Sequence, residues 1–459
     1  MEHYYCIDLS FPSIDFDQYF LKSDKTPSVL HSHLYLRENE IELRILFNPP
    51  THFDYKFSTW LSSINSKKLG EYIHVSSVSP NQVLLNVSFA GSQLIGATSG
   101  SAQYEGDLQY YSIKLNTVKL YLQPIKEKLN TGDFYLSPNS FKVVSGFYST
   151  LFQNNDCFEI RRYKDKDDFY SIESATFRPE FEFGYSDSVK KDTATIKKTP
   201  KIHFNYNETN EEKCFQYSET VKYILSFYFH FEIEYFVAKL YFKEHTISIK
   251  SVYQDRNNDK NSLGLSGFGN QWNLDAFLKA DWAKKALSNQ KKLFKAVELF
   301  NQSHLVDLSS RFLLRFTVLE LCMGGFSQVK EKFTLLLSKK ETNKKYKEAL
   351  ELLLKTVPIE ERCDFAKKWN GTARNKLVYR PMKSTIETFL NSQSLPVNDF
   401  PITINELKET RDGLVHGYSD SVDSLTIEKH NIFLYRICGI LILNLLGIKE
   451  WNLNTELIK

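Results

Sequence analysis

The hydrophobic period of this chain changes once, across residues 255–272, and no single-class fold accommodates that change. Before it lie short runs rich in β-branched and aromatic residues: IELRILF (41–47), VLLNVSF (83–89), YYSIKLN (110–116) and VKLYLQ (118–123). Phe227, Phe229, Phe231, Ile233 and Tyr235 alternate with polar residues and predict a half-buried strand. KLYF (239–242) and HTISIKSVY (245–253) follow, with Lys243-Glu244 as a turn. After the change, Leu274, Phe277, Leu278, Trp282, Leu293, Val297 and Phe300 take helical spacing within 274–300. LSSRFLLRFTVLELCM (308–323) predicts a second helix, capped by Ser309 or Ser310 and stopped at Gly324-Gly325. Further helices are expected around 326–339, 343–356, 383–394, 403–415 and 425–447.

The expected fold is therefore α+β and multidomain. A β-rich, sandwich-like region (1–254) precedes a linker (255–272) and an all-α bundle (273–459). The lysine-rich stretch 186–200 is either a long hairpin loop or a linker splitting the β-region in two. Gly264, Gly267 and Gly269 fit neither a dinucleotide turn nor a Walker A loop, so no nucleotide cofactor is expected.

The six cysteines lie no closer than 41 residues apart, as between Cys322 and Cys363, which excludes a CxxC metal pair. They read as small buried hydrophobes in a reducing compartment, with no metal expected. The start, MEHYYCIDLSF, has no basic segment and no long apolar run, so a secretory leader is not expected. Ile432–Ile448 contains Arg436 and Asn444 and reads as a buried helix, giving the expectation of a soluble cytoplasmic protein without membrane contact. Net charge is +3, but residues 270–459 carry 29 Lys+Arg against 22 Asp+Glu. Phe326–Lys383 is the most basic stretch, and an excess of this kind suits phosphate contact as well as it suits solvated helix faces.

Chemistry concentrates in TINELKETRDGLVHGYSD (403–420). Thr403 with Glu406 predicts a capping box, and Gly417 a helix stop after His416. Arg411 and His416 then share the last turns of one short helix, offset by about 140° around its axis. RNA brings its own nucleophile, the ribose 2′-hydroxyl. Its cleavage needs a proton acceptor, a proton donor and positive charge on the phosphate, which His and Arg supply near neutral pH. Arg374-Asn375 opens a similar stretch, but Tyr379 stands in the histidine position and is a poor base at pH 7. Arg374 is kept as a candidate RNA contact.

ETRDGLVHGY followed by LTIEKHNIFLYRICGILILNLLG (425–447) resembles the closing segment of HEPN domains, and RFLLRFTVLE (311–320) is similar to that family's earlier core helix. A β-rich region ahead of a HEPN-like bundle resembles the layout of ApeA-like anti-phage defence proteins. The resemblance implies a metal-independent endoribonuclease with Arg411 on the phosphate and His416 as general acid or base. It further implies that Asp412 orients the pair and that Tyr418 lines the site or is modified. It also implies a homodimer or higher oligomer, RNA (tRNA among the candidates) as substrate, and a phage-derived trigger or regulatory partner. The alternative is a catalytically inactive HEPN-like module for dimerisation or nucleic-acid binding, beside a β-rich sensor.

Overall fold

The computed structural model describes residues 124–137, 169–188, 193–251, 274–323, 339–369, 382–416 and 423–449. Elsewhere it describes residues 40, 140, 143, 144 and 451 and the strands named below. Sixteen strands form among these residues: β1 His3–Ser10, β2 Ser28–Leu36, β3 Ile41–Asn48, β4 His74–Ser77, β5 Leu84–Ser88, β6 Gln103–Glu105, β7 Leu108–Leu115 and β8 Thr117–Leu122; then β9 Thr131–Leu136, β10 Tyr148–Gln153, β11 Cys157–Arg162, β12 Tyr170–Ile172, β13 Ala175–Ser188, β14 Thr193–Tyr206, β15 Tyr235–Tyr241 and β16 Thr246–Ser251. The helices are α1 Glu211–Phe229, α2 Leu274–Lys279, α3 Ala283–Ser288, α4 Gln290–Gln302 and α5 Leu308–Met323; then α6 Lys339–Leu354, α7 Arg362–Lys368, α8 Met382–Ser392, α9 Ile404–Val415 and α10 Ser424–Leu445. A β-rich region followed by a helical bundle is thus the architecture. The proposed linker 255–272 lies outside the described residues.

Two compact units result: Met1–Lys222 with Ile233–Lys260, and Tyr223–Glu232 with Asn261–Lys459. The first holds a six-stranded sheet (β4-β1-β2-β3-β7-β6), a β10-β11 pair and an eight-stranded sheet (β12-β13-β14-β9-β15-β16-β8-β5), with every described pairing antiparallel. Residues 186–200 do not divide the β-region. Most of them belong to one long hairpin, with Ser186 opposite Thr195 and Ser188 opposite Thr193.

Pleating sends Phe177, Ile202, Phe204, Phe134 and Leu240 of the eight-stranded sheet to one face, where they are buried. The first half of α1 covers them: Phe215 meets Phe134 edge-on, and the Tyr235 hydroxyl donates to the Ser218 carbonyl. The opposite face carries Asp133, Tyr135, Arg178, Glu180, Glu182, Lys201 and His203 in register.

The strand expected at 227–235 is not formed. Tyr223–Phe229 completes α1, and β15 begins only at Tyr235. The reason lies upstream, where Cys214, Tyr217, Ser218, Val221, Ile224 and Leu225 are buried at helical spacing and outweigh nine aromatic-rich residues of apparent alternation. His230, at φ 57°, ends the helix in the left-handed region. The second unit thereby gains Phe227, which is fully buried and packs on Phe300.

The expected helix 274–300 is three helices, α2 to α4. Asn289, between α3 and α4, donates its side-chain amide to the carbonyls of Lys285 and Leu445. α5 spans the predicted 308–323, but its start is capped by Asp307, whose carboxylate accepts from the Ser309 and Ser310 amides; Gly324-Gly325 lies outside the described residues. The central α10 is buried along most of its length, through Phe433, Leu434, Ile437, Ile440 and Leu441.

Candidate active site

α9 presents the candidate residues. Thr403 Oγ1 accepts from the Glu406 amide, and the Glu406 carboxylate accepts from the Thr403 amide, so the capping box forms as its sequence predicts. Ile404, Leu407 and Thr410 face inward. Thr410 also hydrogen-bonds His430 Nδ1 of α10 at 2.9 Å, which fixes α9 against the central helix one residue before Arg411.

Arg411 is partly exposed and lies between two carboxylates. Its Nη1 donates to Asp412 Oδ1 at 3.2 Å, and Nη2 stands 3.9 Å from Glu320 Oε1 of α5. Its guanidinium also lies 5.9 Å from the Phe316 ring centroid. Asp412 accepts from Lys408 Nζ at 2.7 Å. That bond, outweighing partial burial and assisted by Arg411, holds its carboxyl below the ordinary aspartate value. His416 caps the helix, its amide donating to the Asp412 carbonyl, and its side chain is exposed. Among the described residues nothing joins His416 to Arg411. Arg411, Asp412 and Glu320 form one group, and His416 stands apart from it. Tyr418 and Arg374 lie outside the described residues.

Two further clusters were not singled out by sequence. In the helical unit, Arg315 is 5% exposed and donates to Ser303 Oγ (3.2 Å), the Asn431 carbonyl (2.8 Å) and His304 Nδ1 (3.4 Å). His304 stacks on His230 with centroids 5.6 Å apart, and Tyr435 Oη meets His230 Nδ1 at 3.1 Å. Burial, then the Arg315 charge, lowers both imidazoles to about 3. Arg311 and Arg315, four apart on α5, suggest by their charge pairing with carboxylates of the bundle. They instead brace the 303–306 turn, Arg311 donating to the Ser303 and Val306 carbonyls. His230, expected on a polar strand face, is buried.

On the eight-stranded sheet, oxygen and nitrogen atoms of Asp133, Glu180 and His203 converge within 4.8 Å, a grouping that could hold a cation. The Lys201 ammonium already stands there, 3.1 Å from Asp133, 3.3 Å from Glu180 and 3.3 Å from Glu182. Cross-strand register places these residues together, and no spacing along the chain reveals it.

No family model, curated protein or solved structure matches the chain. No helix among the described residues is long and apolar enough to cross a membrane. Of the cysteines whose side chains are described, Cys214, Cys322 and Cys438 are buried as expected, whereas Cys363 is exposed.

Proposed function

We propose that this chain is a HEPN-type, metal-independent endoribonuclease, resembling ApeA-like defence proteins, in which the β-rich, sandwich-like region senses or restrains and the helical unit cuts RNA. The observation that carries the reading is the end of α9. A partly exposed guanidinium, steered by Asp412 and Glu320, lies on the same helix end as an exposed histidine. In the reaction, His416 takes the 2′-hydroxyl proton and the 2′-oxygen attacks phosphorus. The P–O5′ bond breaks, an acid protonates the leaving oxygen, and Arg411 neutralises the phosphate. The products are a 2′,3′-cyclic phosphate and a 5′-hydroxyl.

One helix supplies one Arg and one His on different faces, so a second copy completes the site in this reading. Val415, Leu425 and Ile432 of α9 and α10 are exposed apolar side chains that suit such pairing. The carboxylates around Arg411 favour a second reading, a non-catalytic HEPN-like binding module whose arginine is a satisfied helix-end residue.

Wild-type protein should generate RNA fragments with cyclic ends in excess EDTA. Arg411→Ala and His416→Ala should each abolish them with circular dichroism unchanged, since neither truncation opens a core cavity. Undiminished cleavage by both folded variants overturns the assignment, and an inert wild type that still binds RNA establishes the module.

A further inference from the structure

α6 and α7 form a hairpin in which no described side chain from 344 to 369 is buried. What holds it together is aromatic. Tyr346 stacks on Trp369 with centroids 5.4 Å apart, Phe365 lies 6.1 Å beyond, and the Tyr346 hydroxyl donates to the Trp369 carbonyl at 2.9 Å. These contacts bring the middle of α6 to the end of α7, and so gather residues more than twenty positions apart. Lys344, Lys345 and Lys347 come from α6, Lys367 and Lys368 from α7, and all are exposed. Glu348 and Glu351, both exposed, follow the first group on α6, while Glu360 and Glu361 sit at the turn, the opposite end of the hairpin. Among the described residues Lys344, Lys345, Lys347 and Lys368 form no ion pair; Lys367 has one loose pair to Asp364 at 3.6 Å, both side chains about three-quarters exposed.

We propose that this lysine-bearing end of the hairpin is an RNA-docking surface that holds the phosphate backbone of a single strand. The inference rests on the ribonuclease reading for the identity of its polyanion. Lysines are depleted at the centre of protein interfaces, which prefer aromatic and apolar anchors. Here the exposed apolar side chains, Leu352 and Ile359, lie away from the lysine end, toward and at the turn. Unpaired ammonium groups on a solvent-bathed helical element are what counterion release at a phosphate chain exploits.

The test uses full-length protein carrying His416→Ala, so that binding is read without cleavage, and a fluorescent single-stranded RNA across a salt series. Replacing Lys344, Lys345 and Lys347 together by Gln should flatten the log-affinity against log-salt slope by about 2, at roughly 0.7 per phosphate contact. Affinity at low salt should fall at least about tenfold. A triple exchange of equal charge elsewhere on the helical unit, Lys284→Gln, Lys285→Gln and Lys291→Gln, should leave the slope unchanged. Equal slopes in the hairpin variant and its parent overturn the proposal, as does an RNA that does not bind. A changed mass in light scattering with an intact slope overturns it in favour of a protein partner. Loss of the nuclease reading leaves this binding result standing, and a protein that cuts RNA while ignoring these lysines sinks the docking surface alone.

Discussion

The polar cluster on the sheet and the polar cluster inside the helices are built on opposite plans. On the sheet, Asp133 is 1% exposed, yet each of its oxygens meets a positive or donating group: Lys201 and His203 on one, Lys128 on the other. Burial works to raise its pKa, but the His203 hydrogen bond and the Lys201 and Lys128 charges win and hold it well below the carboxylate range. Lys201 answers in kind: burial lowers its pKa, and the charges of Asp133 and Glu180 more than restore it. In the helices, Arg315 has no carboxylate partner among the described residues. Its neighbours are a hydroxyl, a carbonyl and an imidazole, and burial pulls its pKa down to about 10. In the matched cluster the Asp133 carboxylate keeps its charge well into acid. A cluster of neutral histidines under an unmatched cation stays neutral in the fold, and it loses stability as pH falls below the range where the unfolded chain takes up those protons.

The largest effect is expected from breaking the matched cluster. Lys201→Met leaves Asp133 buried with part of its compensation gone, which costs about 3–5 kcal/mol. Arg315→Met removes a cation that had no counter-charge and orphans neutral acceptors, which costs about 1–3 kcal/mol. Denaturant unfolding of the two variants should rank them in that order, and the reverse order would refute the distinction.

Next comes pH. The folded-state values of His230 and His304 are lowered, so the unfolded chain takes up their protons first. Stability is complete above about pH 6.5 and declines as pH falls toward 3. At pH 5 this amounts to about 2 kcal/mol for each imidazole, at 1.36 kcal/mol per pH unit. The Asp133 contribution, a lowered carboxylate, is retained until pH falls below about 4, the ordinary aspartate value. The double variant His230→Gln, His304→Gln should therefore lose much less stability between pH 7 and pH 5 than the wild type. Parallel losses would show that other groups carry the acid sensitivity.

The same contrast explains what could be read from the residues. Elements whose causes are local were legible: α5 from its apolar spacing, and the start of α9 from Thr403 and Glu406. Failures came where distant partners decide. The aromatic alternation of 227–235 makes no strand, because α1 inherits its period from Cys214 to Leu225 and runs to Phe229, where Phe227 packs on Phe300 and the next residue, His230, meets Tyr435. Arg311 and Arg315 have charges that suggest carboxylates, but a tight turn offers carbonyls within reach. Asp133, Glu180 and His203 are separated by up to 70 positions and meet only through strand register. For the candidate site, the sequence carried the helix and its N-terminal capping box, while the contact of Glu320 with Arg411 needed the packing of α5 on α9 and the expected stop at Gly417 lies outside the described residues.

The smallest and most discriminating change is Tyr435→Phe. It keeps the ring that stacks on Phe300, with centroids 5.4 Å apart, and removes only the hydroxyl that meets His230 Nδ1. A neutral hydrogen bond of this kind contributes about 0.5–1.5 kcal/mol, so a loss near 1 kcal/mol is expected at pH 7. At pH 5 the loss should be the same. A His230 value of about 3 leaves the imidazole neutral in the folded protein at both pH values, with Nδ1 still the partner of the hydroxyl. Stability curves of Tyr435→Phe and wild type should therefore run parallel from pH 7 to pH 5, displaced by a constant amount. If the displacement closes as pH falls, His230 is taking up a proton inside the fold. The helical cluster would then absorb acid without unfolding, and the contrast with the sheet would lie in proton capacity rather than in stability.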